Sequence, residues 1–371
     1  MPASKGRALV TGGAGLIGSH LVDLLISQGY DVTILDNLDP QTHPQGKPKW
    51  VHSDARFIEG DVRSKEDFAR ALKGCRFVLH QAAFGGFTDQ ILKYVDVNTG
   101  GTACLFELLG TGKFQVEKVV VASSQAVYGE GAYQCVQHKA QFPKLRSLEQ
   151  LRAKQWELKC PECRSELRST PVSEDKPFGG ETPYALSKEF EEKIAFAQGR
   201  RLKIPVVALR YALTYGPRQS LFNPYTGVIS IFSKNLLNEK APFIYEDGSQ
   251  TRDFIYAGDA ARANLFALEH PETDFQAFNV SSGKPVTILD LAARLERIYE
   301  KKRQSKITRD SRWGEARHMI LNPGKFARLG FRVSVSLEQG LKNFADWIQP
   351  QKMKEPLTRA YSGKKKLIAV S

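Results

Sequence analysis

The sequence predicts an α/β fold: a doubly wound parallel sheet with a smaller C-terminal substrate domain and a Cys/His-bearing insert. Two observations predict the sheet. Short β-branched runs alternate with helical apolar patterns through the first 210 residues, and a glycine-rich turn joins the first run to the first helix. The third observation is the long segment 129–183, which contains three of the five cysteines and predicts an inserted unit.

The strands and helices of the sheet region are predicted from their different apolar periods. Buried β-branched runs indicate strands, and the helical patterns between them indicate right-handed crossover helices. The predicted strands are Arg7–Val10, Asp31–Leu35, Phe57–Ile58, Phe77–His80, Lys118–Ala122 and Val206–Arg210. The predicted crossover helices are Ile17–Ser27, Lys65–Leu72, Gly100–Leu109 and Tyr184–Gln198.

The turn Thr11–Gly18, with the sequence TGGAGLIG, follows the first strand directly. Glycines 12, 15 and 18 permit a tight turn, close approach of the backbone to a pyrophosphate, and close helix–strand packing. Asp36 ends the second strand, where a carboxylate accepts hydrogen bonds from ribose hydroxyls and repels a 2′-phosphate. The sequence therefore predicts a Rossmann-type site for NAD rather than NADP.

The domain organisation follows from the point at which the strand–helix alternation stops. We expect residues 1–215 to form the NAD-binding domain, with residues 131–176 as its insert. Residues 216–350 should form mainly the substrate domain, residues 351–371 a flexible tail, and a strand and helix within 251–280 should return to the first domain. Further helices are predicted at Val228–Asn238, Asp259–Glu269, Ile288–Glu300 and Leu337–Trp347.

A catalytic pair is predicted in the segment Tyr184-Ala-Leu-Ser-Lys188, because its first and last side chains lie one helical turn apart. A phenol ionises only near pH 10 or so, but a neighbouring ammonium and a positive nicotinamide stabilise the phenolate. Tyr184 can then take a proton from a substrate hydroxyl. Ser123 and Ser124 end the fifth predicted strand and offer a hydroxyl to the same site.

Together these motifs resemble the extended short-chain dehydrogenase/reductase superfamily, and within it the NAD-dependent nucleotide-sugar epimerases and dehydratases. Gly60-Asp61-Val62, His80-Gln81-Ala82-Ala83 and Asn98 continue the same pattern in the expected order. The resemblance implies that Ser124, Tyr184 and Lys188 are catalytic. It implies that NAD is bound by Gly12, Gly15, Leu16, Ile17, Gly18, Asp36, Asn37, Asp61, Val62, Ala82, Ala83, Asn98, Tyr184 and Lys188.

The residues after Ser124 distinguish the reactions of this family. Its 4,6-dehydratases carry an Asp-Glu pair there, since loss of water needs an acid and a base, whereas this chain has Gln125-Ala126. We therefore predict a 4-epimerase, which oxidises a nucleotide sugar to its 4-keto form and reduces it again on the opposite face. An NAD(P)-dependent nucleotide-4-keto-sugar reductase has the same catalytic residues and stays open, as does a non-catalytic nucleotide-binding protein.

The resemblance extends to dTDP-L-rhamnose 4-epimerase-like proteins through Leu35–Gln41, Tyr128–Gly131, Asn223–Val228 and the cysteine-bearing insert. It implies a substrate of the dTDP-L-rhamnose/dTDP-6-deoxy-L-talose type.

Two arginines are implied to bind the substrate's diphosphate. Arg252 and Arg312 match family segments in which arginines make fork-like bonds to a diphosphate. Leu213 departs from the family, which places Asn there, and we expect Asn223 to supply that polar contact.

Cys135-x-x-His138 and Cys160-x-x-Cys163 are two chelating pairs separated by 21 residues, a layout typical of a zinc ribbon or knuckle. Four soft or borderline ligands predict a closed structural Zn²⁺ site. The alternative is a surface histidine beside free thiols. Nucleic-acid binding by this unit would need a basic, aromatic surface, which the insert lacks apart from Trp156.

The formal charge of +13, from 53 Lys+Arg and 40 Asp+Glu, is spread through helices with acidic neighbours. We interpret it as a solvated surface and predict no nucleic-acid partner. The chain shows neither a secretory signal nor an apolar run long enough to cross a bilayer, so we expect a cytoplasmic enzyme with no membrane partner. The resemblance implies a homodimer that packs through Gly100–Leu109 and Tyr184–Gln198.

Overall fold

The computed structural model describes residues 4–86, 88–221, 223, 227–301 and 305–351. The tail predicted at 351–371 lies outside the described residues except for Gln351. The strands are β1 Arg7–Thr11, β2 Asp31–Asp36, β3 Arg56–Glu59, β4 Phe77–His80, β5 Lys118–Ser124, β6 Ala132–Cys135, β7 Lys139–Gln141, β8 Arg168–Thr170, β9 Val206–Tyr211, β10 Leu213–Tyr215, β11 Phe243–Ile244, β12 Thr251–Arg252, β13 Phe254–Tyr256, β14 Gln276–Val280, β15 Val286–Thr287, β16 Lys306–Ile307 and β17 His318–Met319. The helices are α1 Leu16–Ser27, α2 Lys65–Leu72, α3 Ile91–Tyr94, α4 Gly101–Gly110, α5 Leu148–Arg152, α6 Pro183–Leu202, α7 Val228–Leu237, α8 Ala257–Glu269, α9 Ile288–Ile298, α10 Gly324–Arg328 and α11 Leu337–Ile348.

A seven-stranded parallel sheet has the order β3-β2-β1-β4-β5-β9-β14. The strand order reverses direction between β1 and β4, so the carboxyl ends of these two strands open a crevice at a topological switch point. All seven residues of β5 and all six of β9 are buried, because helices cover both faces of the sheet. The predicted doubly wound α/β fold is confirmed.

The two faces of the sheet bury separate apolar clusters. Leu21 and Leu25 of α1 pack with Ala260 and Ala263 of α8 on one face. Helices α2, α4 and α6 cover the other face and contribute Phe68, Leu105, Phe106 and Ala195. Helix α8 therefore packs on the large sheet, and β14, which also comes from the 251–280 segment, is an edge strand of that sheet.

Helix α6 carries the predicted catalytic pair and begins with a well-formed cap. The Thr182 hydroxyl accepts a hydrogen bond from Ala185 N, and Pro183 occupies the first turn. The helix runs to Leu202, four residues beyond the predicted end. Gly199 permits this extension, because a Cβ there would lie 2.4 Å from Val206 Cγ2 on β9.

A π-helical turn, Val95–Gly100, connects α3 to α4. The sequence predicted only the helix from Gly100, because a π turn adds a residue and shifts the apolar period. The turn directs the side chain of Asn98 into the interior, where it is fully buried.

The second part of the chain is the region after β9, apart from α8 and β14. It has its own core, formed mainly by α7, α9 and α11 and including Phe232, Leu291 and Phe344. Three small sheets accompany it: β10-β13, β11-β16 and β15-β12-β17. No helix within the described ranges combines the length and apolar character needed to cross a membrane.

The segment predicted as an insert folds into an antiparallel sheet, β7-β6-β8, and the short helix α5. Its own core contains only Tyr133, Cys135, Leu158, Cys160 and Leu167, with Cys163 packed beside them. This core is small for a unit of such length, so other interactions must hold the insert in place.

Candidate active site

The glycine-rich turn lies at the carboxyl end of β1, where the strand order reverses. Gly12 has φ +67° and donates a backbone hydrogen bond to Leu35 O at 2.8 Å. A Cβ on Gly18 would lie 2.1 Å from Gly12 O, so only glycine allows α1 to start this close to the turn. Leu16 and Ile17 begin α1 directly after Gly15. The turn therefore has the open backbone cradle that a pyrophosphate requires.

Asp36 lies beside this cradle and is almost completely buried. Its Oδ2 accepts from Ala14 N and its Oδ1 from Leu38 N, each at 2.9 Å. A carboxylate oxygen can accept two hydrogen bonds, so both oxygens retain capacity for ribose hydroxyls. These free acceptor positions fit the ribose of NAD, and the buried negative charge disfavours the 2′-phosphate of NADP.

Asn37 and Asp61 form a polar pair at the ends of β2 and β3. Asn37 Nδ2 donates to Asp61 Oδ2 at 3.0 Å, and Arg63 makes a fork-like pair with the same carboxylate. Partial burial opposes ionisation of Asp61, but the hydrogen bonds from Arg63 and Asn37 outweigh it and lower the pKa to about 2. Val62, the next residue, packs against Gly101 of α4.

Ala82 and Ala83 follow β4 across the crevice from the glycine turn. Ala82 N donates to Thr11 Oγ1 at 3.1 Å, which ties the two walls of the crevice together, and Ala83 is exposed.

Asn98, whose contact with the cofactor stays a prediction, uses its side-chain amide for hydrogen bonds within the protein. Its Oδ1 accepts from Phe84 N at 2.8 Å, and its Nδ2 donates to Phe84 O and to Ser187 Oγ at 3.0 and 2.9 Å. Both amide hydrogens are therefore used inside the protein. Asn98 joins the loop after β4 to α6, so it acts by fixing the helix that carries Tyr184.

Ser124 and Tyr184 line one cavity of about 1150 Å³, which lies between the sheet and the second part of the chain. Ser124 Oγ accepts from Ala126 N at 3.1 Å, which leaves its hydroxyl hydrogen available to donate. The Tyr184 ring packs edge-on against Tyr94, with 6.1 Å between ring centroids. Gln125 and Ala126 line the same cavity, so no carboxyl stands at the two positions after Ser124.

Lys188 lies about one turn after Tyr184 on α6 and is buried, with 1% of its side chain exposed. Its Nζ donates to Ala122 O and to Glu191 Oε2, both at 2.7 Å. An ammonium has three hydrogens, so one remains for a ribose or for Tyr184.

Glu191, which no sequence motif indicated as part of the site, is as buried as its partner Lys188. Burial raises the pKa of Glu191 to about 7, although Lys188 opposes the shift. An i,i+3 Lys–Glu pair is visible in sequence, but such pairs are usually solvated, so the pattern alone did not indicate a buried one.

Arg252 and Arg312 both line the cavity and converge on one carboxylate. Arg312 Nη1 lies 2.7 Å from Glu315 Oε1, and Arg252 Nη2 lies 3.7 Å from Glu315 Oε2. Tyr245 packs beside the Arg312 guanidinium, which lies 5.6 Å from the centroid of the tyrosine ring. The two arginines are thus held close together, and their binding of one diphosphate stays a prediction.

Asn223 is not among the described residues that line the cavity. Its Oδ1 accepts from Gln41 Nε2 at 3.1 Å, at the edge of the loop after β2. Residues 222 and 224–226 beside it lie outside the described residues. Leu213 itself lines the cavity, and the polar contact expected from Asn223 stays a prediction.

The four predicted metal ligands come together in the insert. One ligand atom from each of Cys135, His138, Cys160 and Cys163 lies within 4.8 Å of all the others. Cys135 Sγ is 3.6 Å from Cys163 Sγ, and His138 Nδ1 is 3.7 Å from Cys135 Sγ and 3.4 Å from Cys160 Sγ.

Comparison with known proteins gives a consistent family. The family model described as the NAD dependent epimerase/dehydratase family matches residues 8–148 and 162–281. A putative UDP-glucose 4-epimerase from Methanocaldococcus jannaschii is 34% identical over 92% of this chain and 98% of its own length. The dTDP-L-rhamnose 4-epimerase of Burkholderia thailandensis is 32% identical, over 92% of this chain and 94% of its own.

Solved structures agree with this comparison. The UDP-glucose 4-epimerase of Thermotoga maritima with UDP-glucose gives a TM-score of 0.76 at 28% identity, covering 92% of this chain and 98% of that one. The UDP-glucuronic acid 4-epimerase of Bacillus cereus, in complex with UDP-glucuronic acid and NAD, gives the same TM-score and identity, covering 92% and 99%. With the glycine cradle, Asp36 and the Ser–Tyr–Lys site in place, the chain belongs to the NAD dependent epimerase/dehydratase family and is an NAD-dependent enzyme.

Proposed function

We propose that the protein is a nucleotide-sugar 4-epimerase that uses bound NAD. The observation that carries the proposal is a single cavity with Ser124 and Tyr184 on one wall and Arg252 and Arg312 on another. Its volume of about 1150 Å³ exceeds the usual range of small-molecule pockets, about 300–1,000 Å³, so it has room for an extended ligand. The absence of a carboxyl at Gln125 and Ala126 disfavours dehydration.

Tyr184, Lys188 and Ser124 have separate roles in the proposed proton transfers. NAD, when bound, supplies the hydride acceptor and donor for the sugar carbon. Tyr184 takes the proton of the C4 hydroxyl and later returns it, with the Lys188 ammonium favouring the phenolate. Ser124 donates to the C4 oxygen and stabilises the charge that develops on it.

Epimerisation also requires that the oxidised sugar present its second face to the same site. Arg252 and Arg312 would hold the diphosphate end while the sugar turns about the bonds that join it to the phosphate. The cavity lining includes apolar and small residues, among them Leu213, Val228 and Ala316, which offer a turning sugar no side-chain hydrogen bonds.

We further propose that the sugar substrate is of the dTDP-L-rhamnose/dTDP-6-deoxy-L-talose type. Support comes from the Burkholderia thailandensis relative and from the motif matches in the loop after β2. The UDP-glucose and UDP-glucuronic acid 4-epimerases are similarly related, so the base and the sugar must be determined by experiment.

The test is incubation of the purified protein with a panel of dTDP-, UDP- and GDP-sugars without added cofactor, with products identified by NMR. We expect one sugar to be converted to its C4 epimer, with about one NAD per chain released on denaturation. Product formed only with stoichiometric NADH or NADPH would contradict the proposal and identify the protein as a ketoreductase instead.

We also propose that Cys135, His138, Cys160 and Cys163 bind one structural Zn²⁺. A tetrahedral ion with Zn–S near 2.3 Å and Zn–N near 2.0–2.1 Å places its ligand atoms roughly 3.5–3.8 Å apart. The observed separations of 3.4, 3.6 and 3.7 Å are close to that spacing. We expect about one zinc per chain by elemental analysis, and its loss in Cys160→Ser. Wild-type protein that contains no zinc, and takes up none when zinc is supplied, would contradict this site.

A homodimer and a cytoplasmic location stay predictions. Exposed apolar side chains on α6 and on the neighbouring α3 and π turn favour the dimer; they are Ile91, Leu92, Val95, Leu186 and Phe190. We expect light scattering to give twice the chain mass, and Phe190→Glu to reduce it to one.

A further inference from the structure

Buried charges join the insert to the substrate cavity. Arg146, between β7 and α5, has 1% of its side chain exposed and forms a two-bond pair with Glu246, at 2.8 and 2.9 Å. The same guanidinium donates to Glu315 O at 3.1 Å. Glu315 is the residue on which Arg252 and Arg312 converge, so the insert contacts the diphosphate wall directly.

Arg317 extends this connection and is the largest fully buried side chain of the described residues. It pairs with Glu157 of the insert, at 2.9 Å from Nε, and with Glu246 and Asp247 of the second part of the chain. Its carbonyl oxygen accepts from Arg252 Nη1 at 3.2 Å. We call Arg146, Glu157, Glu246, Asp247 and Arg317 the insert network.

The insert end of this network is close to the Cys/His cluster. Glu157 is three residues before Cys160, and the intervening Leu158 packs in the small core with both Cys135 and Cys160. On the other side of that core, Tyr133 donates to Glu130 Oε1 at 2.9 Å, and the Glu130 carboxylate accepts the backbone N–H of Arg317.

The network has two structural requirements. Arg317 Nε donates to Glu157, and a buried donor that loses its acceptor costs free energy, so the position of Arg317 depends in part on the insert holding Glu157 in place. The five-residue core of the insert gives Glu157 little support of its own, and metal ligation is a common way to fix such a small unit.

We infer that the insert forms part of the substrate site: the Cys/His cluster, through the insert network, sets the positions of Arg252 and Glu315. Glu315 in turn holds Arg252 and Arg312, the two arginines proposed to bind the nucleotide diphosphate. The inference rests on the proposed function of this cavity. Insert residue Leu145 lines the cavity beside the network, as this arrangement requires. The glycine cradle has no part in the network, so NAD binding should not depend on it.

The test measures binding of UDP and dTDP by calorimetry, with no turnover, in Glu157→Gln and Cys160→Ser. We expect Kd for the preferred nucleotide to rise about tenfold in both, with NAD content unchanged. Glu149→Gln is the matched control, since it removes the same charge from an exposed position on the insert helix α5 and should leave Kd unchanged.

The outcomes are distinguishable. An unchanged Kd in folded Glu157→Gln, or in a metal-free Cys160→Ser protein that remains folded, would overturn the inference. If Cys160→Ser does not fold, Glu157→Gln still decides. If the variants show the tenfold change in Kd but the wild-type protein epimerises no panel sugar, the proposed function is refuted and the inference stands.

Discussion

The dinucleotide crevice and the insert are held together by different kinds of interaction. The crevice is formed by backbone groups: a turn of glycines, strand ends and the N-terminus of α1, all within a sheet whose central strands are completely buried. The insert has three short strands and a five-residue core, and is held by charged side chains and four potential metal ligands. The first region tolerates no added atom, whereas the second depends on each charge having its partner.

Because of this difference, substitutions in the two regions should impair the binding of different ligands. A substitution in the crevice should act by steric exclusion and should affect bound NAD, whereas one in the insert network should act through unpaired charge and should affect the nucleotide sugar. Tyr184 and Lys188 lie between the two regions, so their variants should change turnover while both ligands still bind.

The largest effect is expected from Tyr184→Phe, at the meeting point of the two regions. The ring still packs against Tyr94, but the proton acceptor is gone, so kcat should fall about 10³-fold or more. Bound NAD and the Kd for UDP or dTDP should match the wild type. Activity within tenfold of the wild type would remove Tyr184 from the chemistry.

A second large effect is expected from Gly18→Ala, which tests the steric requirement of the crevice. The added Cβ would lie 2.1 Å from Gly12 O, so the turn or the helix must move and NAD content after purification should fall about tenfold or more. Gly100→Ala is the control, because its Cβ would be 3.6 Å from the nearest atom, Val95 O, in ordinary contact. Full NAD occupancy in Gly18→Ala would show that the cradle is less rigid than described.

The smallest effect is expected from Glu191→Gln, which tests the buried charge behind the catalytic pair. Besides Lys188, the charged group that faces Glu191 is Glu192. Wild-type Glu191 carries its charge only above about pH 7, so the Gln variant leaves the Lys188 ammonium unneutralised there, and the pH dependence of kcat/KM should differ from wild type above pH 7 and match it well below. Glu189→Gln, which pairs with exposed Lys193 on the same helix, is the control and should leave the profile in place.

The same residue gives a stability test with a defined sign. The pKa of Glu191 in the folded protein, about 7, lies above the unfolded value of roughly 4.3. Its contribution to stability is therefore full below about pH 4.3 and is lost as pH rises through 7. The melting temperature of wild type relative to Glu191→Gln should fall between pH 5 and 8. A constant difference would contradict the burial of an ionisable carboxyl at this position.

Much of the crevice could be predicted because its determinants are local. Glycine spacing, Asp36 at a strand end and the Tyr184–Lys188 interval are read within short stretches, and the fold they predict is confirmed. The four Cys and His residues were also recognised from spacing, although spacing alone does not show that they meet.

The contacts that the sequence did not reveal are long-range. No local pattern marks Arg317, because its partner Glu157 is 160 positions away along the chain and the arginine is buried only once the insert has folded. Glu191 was missed because a Lys–Glu pair on a helix is usually solvated. Asn98 and Asn223 were assigned from motif position, and the structure directs one into the interior and the other toward Gln41.

The measurement that tests the central claim most directly follows the C4 hydrogen. The sugar converted in the panel should be supplied with deuterium at C4, in ordinary water and without added cofactor. An epimerase of this kind predicts that the C4 epimer keeps the deuterium. Loss of the label to solvent, or product formed only with added NADH or NADPH, would contradict the account.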